Sequence, residues 1–165
     1  LAGGALLDLG IYPITVAQMI VGQAPDKVVA VAELGQSGVD ESTGMALHYP
    51  NGAVATLNCG TRANSSLDCW IFGDRGSIHI PQFWQAESAT LYQPEESHHS
   101  SARENATEYH LPHAVNGYEY EIQEVNRCLR DGLLESPLMS WQHSRDVMHI
   151  MDTVRAQIGL KFPFE

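Results

Sequence analysis

The sequence predicts an α+β domain, an open and mostly antiparallel sheet with its helices packed on one face. Three observations carry this: helical periodicity opens the chain, a long middle stretch runs at period two with hairpin signals between its segments, and helical periodicity returns at the end.

Taken in order, the first helix is expected from about Gly4 to Val21. Leu6, Leu7, Ile11, Ile14, Ala17 and Ile20 cover most of its sides, and Gly22 with Pro25 behind it stops it. The run from Leu1 to Gly22 contains Asp8, a proline and four glycines and has no basic start, so it reads as a helix of the fold and not as a targeting or membrane-spanning segment. Strands follow at Lys27–Leu34, Gly44–Tyr49, Ala53–Gly60, Asp68–Gly73, Ser77–Ile80, Ala89–Gln93 and Thr107–Leu111. Pro50-Asn51-Gly52 supplies an Asn-Gly hairpin turn, and Gly73-Asp74-Arg75-Gly76 does similar duty. The stretch from Pro94 to Asn105 has no periodicity and reads as a surface loop. Its His98 and His99 have no third ligand at useful spacing, so no metal is expected.

Two helices close the chain. In the first, Tyr118, Ile122, Val125 and Leu129 recur on one side and Gly132 ends it. In the second, Ser140 is the expected N-cap, Val147, Ile150, Met151, Val154 and Ile158 form the buried stripe, and Gly159 follows. His143 and His149 point to different sides of that helix and share no ion. Helices on one sheet face leave the other open. Its alternate positions, Val29, Val31, Leu57, Cys69 and Ile71 or their neighbours, are rather apolar for a wetted surface, which points to a homo-oligomer formed sheet to sheet.

A chain of 165 residues at 44% hydrophobic suits one domain over residues 1–165. The net charge of −11, 9 basic residues against 20 acidic, opposes a nucleic-acid partner, and an acidic surface of this kind serves solubility. Cys59, Cys69 and Cys128 are odd in number and sit among apolar residues, as expected of reduced thiols in a cytoplasmic protein.

The candidate site lies in the first helix. Asp8 and Tyr12 are four residues apart, hence on one face, and Thr15 extends the stripe. Two readings compete: the carboxylate caps a neighbouring backbone while the phenol spans from core to water, or both groups face a substrate hydroxyl as an acid–base pair. Trp84, Tyr118 and His113 come from places where loops and helix starts converge, and they are candidates to line a sugar or polyol pocket. Ordinary packing is the competing account of the two aromatics.

The segment Gly3-Gly4-Ala5-Leu6-Leu7-Asp8-Leu9-Gly10-Ile11-Tyr12-Pro13 resembles the start of the C-terminal domain of the Gfo/Idh/MocA dehydrogenases. So do Gly38-Val39-Asp40-Glu41, Gly117-Tyr118-Glu119-Tyr120-Glu121-Ile122 and the ending around Gly132-Leu133-Leu134-Glu135-Ser136-Pro137, Ile150-Met151-Asp152 and Gly159-Leu160. The resemblance covers nearly the whole chain. It implies the glyceraldehyde-3-phosphate-dehydrogenase-like C-terminal fold, a homodimer through the open sheet face, and hydride transfer between NAD or NADP and a carbon bearing a hydroxyl. Tyr12 stands where many members carry a histidine, as it does in the glucose-fructose oxidoreductase and dihydrodiol dehydrogenase branch, so the resemblance implies a sugar, polyol or diol substrate. It makes Tyr12 the proton donor or acceptor and Asp8 its partner.

Two departures qualify this. No Gly-x-Gly-x-x-Gly turn follows a strand, and the family's Glu-Lys-Pro tripeptide, whose lysine assists proton transfer, is not found. The chain therefore reads as the second domain of a longer enzyme, without its N-terminal dinucleotide-binding domain, and is expected to bind no nicotinamide and show no catalysis by itself. The alternative is a stand-alone carbohydrate-binding or dimerisation module without chemistry.

Overall fold

The structure is a computed structural model that describes residues 3–93 and 105–162. A π-helical turn at Leu6–Gly10 leads into α1 (Ile11–Val21); β1 (Lys27–Leu34), β2 (Asp40–His48), β3 (Val54–Gly60), β4 (Cys69–Gly73) and β5 (Gly76–Ile80) follow. After a 3-10 turn at Phe83–Gln85 come β6 (Ser88–Tyr92), β7 (Ala106–His110), α2 (Tyr118–Arg130) and α3 (Trp141–Ile158). These elements form two compact units, Leu1–Asn64 with Glu135–Glu165, and Ser65–Leu134. The architecture is α+β and antiparallel throughout, its strands divided between two ladders, β1-β2-β3 and β4-β5-β6-β7. The expected loop with His98 and His99 lies, over residues 94–104, outside the described residues.

The first unit has a closed core. Period-two alternation turns Val28, Ala30, Met45, Leu47, Ala55, Leu57 and Cys59 toward the helices, where Ala5, Leu6, Ile14, Val147, Ile150, Met151 and Val154 meet them. Val29 and Val31 point the other way and are exposed, as expected of the open face, whereas Leu57 packs against the core, because its parity in β3 matches Ala55 and Cys59. The Asn-Gly turn forms as expected: Tyr49 N–H donates to the Ala53 carbonyl at 3.0 Å, with Gly52 at φ 86°. Ser140 Oγ accepts the His143 N–H at 3.1 Å and caps α3. At the outer edge of the sheet the Gln157 side chain accepts from Ala30 N–H and donates to the Val28 carbonyl, both at 2.9 Å, standing in for a neighbouring strand.

The second unit is a short-stranded sheet with α2. Trp70, on β4, stacks on His79 across the ladder at 4.3 Å between ring centroids, and on Phe72 and Tyr92 at 5.8 Å each. Phe72 is nevertheless 78% exposed. The apolar side of α2 is also open: Tyr118, Ile122, Val125 and Leu129 are all more than half exposed. Helical periodicity in the sequence shows that these residues share a side and does not say what meets it.

Candidate functional site

The site is built from the turn that enters α1. Gly4 has φ +93°, and a Cβ on it would lie 2.2 Å from Asp40 Oδ1, so only glycine fits there on both counts. Gly10 is the second close approach, with Cys59 Sγ 3.1 Å from where its Cβ would be. Between them the chain makes its π-turn, a widened turn of a kind that recurs at functional sites. Asp40, only 1% exposed at the start of β2, holds the turn in place: its Oδ2 accepts the Leu6 N–H at 2.7 Å and the Thr43 hydroxyl at 2.6 Å. Cys59 lies beneath, its thiol pushed up to about 12 by burial and by the charge of Asp40, against a backbone hydrogen bond with Thr43 that lowers it, so it is an inert packing group.

On the side of this turn away from the core, Asp8 is exposed and Tyr12 is 48% exposed, with Thr15 half-buried one turn on. The expected stripe of a buried helix is therefore a solvent-facing stripe on a helix buried along its opposite side through Ala5, Leu6, Gly10, Ile14 and Ala17. Neither the Asp8 carboxylate nor the Tyr12 phenol has a hydrogen-bond or ion-pair partner among the described residues, so Asp8 caps no neighbouring backbone. A carboxylate and a phenol free on one surface can both engage a ligand hydroxyl, one accepting and one donating. A cavity of about 160 Å³ elsewhere in this unit, lined by Pro25, Lys27, Asp146 and His149, involves none of these side chains.

The other candidates belong to the second unit. Trp84 is 50% exposed in its 3-10 turn and Tyr118 is 65% exposed at the first position of α2, so neither is a core residue. His113 is half-buried, its backbone N–H held by Glu87 Oε1 at 2.9 Å and its ring tilted against Tyr120 at 5.6 Å. Both of its ring nitrogens are buried without a partner among the described residues. The ring sits 3.4 Å from where a Gly117 Cβ would be, and Gly117 at φ +92° gives it that room. Glu119 organises this corner by accepting the N–H groups of Val115 at 2.8 Å, Asn116 at 3.2 Å and Gly117 at 2.8 Å. Partial desolvation raises its pKa, but backbone donors from these residues and its own N–H prevail and hold it down at about 2.

Sequence reasoning missed the roles of Asp40 and Glu119. Strict alternation puts Asp40 on the same face as exposed Ser42. It turns inward because the ladder shifts register, Glu33 facing Ser42 while Leu34 faces Asp40, with Glu41 bulged between. Glu119 carried a legible signal, an acid in the first turn of a helix after an Asn-Gly pair.

The model of the GFO/IDH/MocA C-terminal domain matches residues 1–79. The chain is 32% identical over 163 residues to the trans-1,2-dihydrobenzene-1,2-diol dehydrogenase of Oryctolagus cuniculus, covering 98% of this chain and 49% of that protein. It is 33% identical over 173 residues to the enzyme of the same name from Xenopus tropicalis, covering 99% and 49%. The chain thus spans about half the length of the curated relatives it matches. Among solved structures it superposes on the aldose-aldose oxidoreductase from Caulobacter crescentus complexed with glycerol, with TM-score 0.75, 18% identity, and coverage of 94% of this chain and 45% of that one. It also superposes on a 3-ketoreductase from Actinomadura kijaniata in complex with NADP, with TM-score 0.75, 22% identity, and coverage of 94% and 48%. At these identities the two structures speak for the fold.

Proposed function

The chain belongs to the Gfo/Idh/MocA family as a C-terminal domain, and from that premise we propose that it is the substrate-facing and self-associating part of an NAD- or NADP-dependent oxidoreductase acting on a hydroxyl-bearing carbon of a diol, polyol or sugar. The observation that carries this reading is the partnerless Asp8–Tyr12 pair, exposed on a helix whose other side is locked into the core. In this reading Tyr12 Oη, as the phenolate, takes the proton of the reacting hydroxyl in oxidation and, as the phenol, returns it in reduction. Asp8 accepts a hydrogen bond from the substrate or from Tyr12 and so fixes the direction of transfer. Thr15 borders the same surface; in the second unit, Trp84, His113 and Tyr118 are proposed as candidates to line a sugar or polyol pocket.

A nicotinamide supplies hydride acceptance and donation when bound. The described residues offer it no cradle of their own, since every ladder is antiparallel and there is no parallel strand–helix–strand unit to present a phosphate-binding turn. Cofactor binding is accordingly assigned to the natural full-length polypeptide, and the chain by itself is expected to oxidise nothing. Self-association is assigned to the open sheet face that carries Val29 and Val31. A cytoplasmic setting is proposed from the cysteine pattern, three residues set among apolar neighbours, and no helix among the described residues is long and apolar enough to cross a membrane.

The test is turnover of the full-length protein with trans-1,2-dihydrobenzene-1,2-diol and with aldoses, each with NAD and with NADP, before and after Tyr12→Phe. Turnover is expected to fall by about a hundredfold while cofactor affinity is kept. Unchanged turnover removes Tyr12 from the chemistry. Carbohydrate binding without oxidation by any pairing replaces the enzyme reading with a binding module.

A further inference from the structure

We infer that Asp40 is a positioning residue for the Asp8–Tyr12 pair, a buried carboxylate on the sheet that fixes the direction in which Asp8 points. The inference rests on the reading of that pair given above. Because neither side chain has a partner among the described residues, their aim is set by the backbone beneath them. That backbone is unusual. Asp8 lies within the π-turn Leu6–Gly10 and Tyr12 lies past it in α1, so the width of the turn sets the rotation of one relative to the other. A slip of one residue in an ordinary helix swings a side chain by about 100°.

Leu6 opens that turn, and its N–H is one of the donors that the start of a helix leaves without an intrahelical acceptor. Asp40, 34 residues on, supplies the acceptor at 2.7 Å and brings a carboxylate to the positive end of the helix. The sheet holds Asp40 firmly. It pairs with Leu34 on β1, the Gly35 N–H closes the preceding turn on the Val39 carbonyl at 2.8 Å, and the Thr43 hydroxyl donates to the same Oδ2 at 2.6 Å. The other oxygen, Oδ1, is buried without a hydrogen-bond partner among the described residues, against Gly4, where any side chain would collide with it. The carboxylate thus sits in a slot shaped by the glycine that begins the functional segment, two residues ahead of the N–H it accepts and four ahead of Asp8.

The experiment is a cycle of Asp40→Asn against Asp8→Ala in the full-length protein, with kcat, KM and amide hydrogen exchange of Leu6–Gly10 as readouts. Asparagine keeps the size and one acceptor while removing the charge. With Asp8 present, Asp40→Asn is expected to lower kcat about tenfold, to leave KM within about twofold, and to speed exchange in Leu6–Gly10 ahead of the rest of α1. In the Asp8→Ala background the further loss of kcat is expected to vanish. An equal loss in both backgrounds, or full kcat in a folded Asp40→Asn protein, overturns the inference. If Asp40→Asn does not fold, Thr43→Val removes one bond from the same oxygen and is read in the same cycle, with an expected loss of about threefold that likewise depends on Asp8. Tyr12→Phe keeps the two questions apart: full turnover there rejects the proposed chemistry, whereas lost turnover there with an Asp40 effect independent of Asp8 rejects only the positioning role.

Discussion

The two units bury their apolar residues to very different extents. In the first, Leu6, Ile14, Leu47, Tyr49, Ile150, Met151 and Val154 are at most 2% exposed and form one cluster. In the second, Cys128 is the only buried hydrophobic residue among those described, while Trp70, Phe72, Trp84, Ile122, Val125 and Leu129 all stand open. The same period-two and 3.6-residue patterns wrote both units. What differs is whether a second layer lies within the unit, as α1 and α3 do for β1–β3. The lesson is that the first unit can hold the turn that carries Asp8 rigidly, while the second presents surfaces whose value lies in what they contact.

The contrast breaks most sharply under truncation. Leu47→Ala, at a fully buried position, is expected to cost about 2–5 kcal/mol in urea unfolding followed by far-UV circular dichroism. Phe72→Ala, at a position 78% exposed, is expected to cost about 0.5 kcal/mol or less in the same assay. Equal costs would mean that the second unit has a core of its own.

A smaller effect sharpens the comparison within the first unit, whose sheet also has an open face. Val31 is 73% exposed, so Val31→Glu is expected to change unfolding stability by no more than about 0.5 kcal/mol. It places a charge on the face proposed to meet a second copy, and is expected to weaken self-association about tenfold or more in sedimentation equilibrium. An unchanged association constant removes this face from the interface.

Much of this was legible in the sequence where a single period governed. β1 spans Lys27–Leu34 as the alternation requires, and α3 runs from its Ser140 cap to Gly159 with Val147, Ile150, Met151 and Val154 buried. The Asp8–Tyr12 spacing was legible too, because residues four apart share a helical side whatever lies around them. The outward direction of that side was not, since Leu7, Ile11 and Ile20 surround the stripe with apolar neighbours and the sequence alone suggests enclosure. Asp40 was hidden for a different reason: a register shift breaks the parity from which facing is read, and its partner Leu6 lies 34 residues away. The division into two ladders was equally hidden, because strand spacing says nothing about where pairing stops.

The smallest expected effect tests whether the open second unit has local order of its own. Glu119 sits at about 2, below its ordinary 4.5, because partial desolvation is outweighed by backbone N–H groups that bond its ionised form. A carboxylate held down in the folded state contributes stability that is fully present above its unfolded value and is lost as pH falls through its folded value, here between about 4.5 and 2. Amide exchange at Val115, Asn116 and Gly117 is therefore expected to quicken over that interval, while the His143 amide of α3, whose acceptor is the neutral Ser140 hydroxyl, carries no such step from its cap. Glu119→Gln keeps one acceptor oxygen and cannot titrate, so in that variant the pH step at these three amides should disappear. Persistence of the step in Glu119→Gln would place its origin in another group, and the start of α2 would then owe its order to something other than this carboxylate.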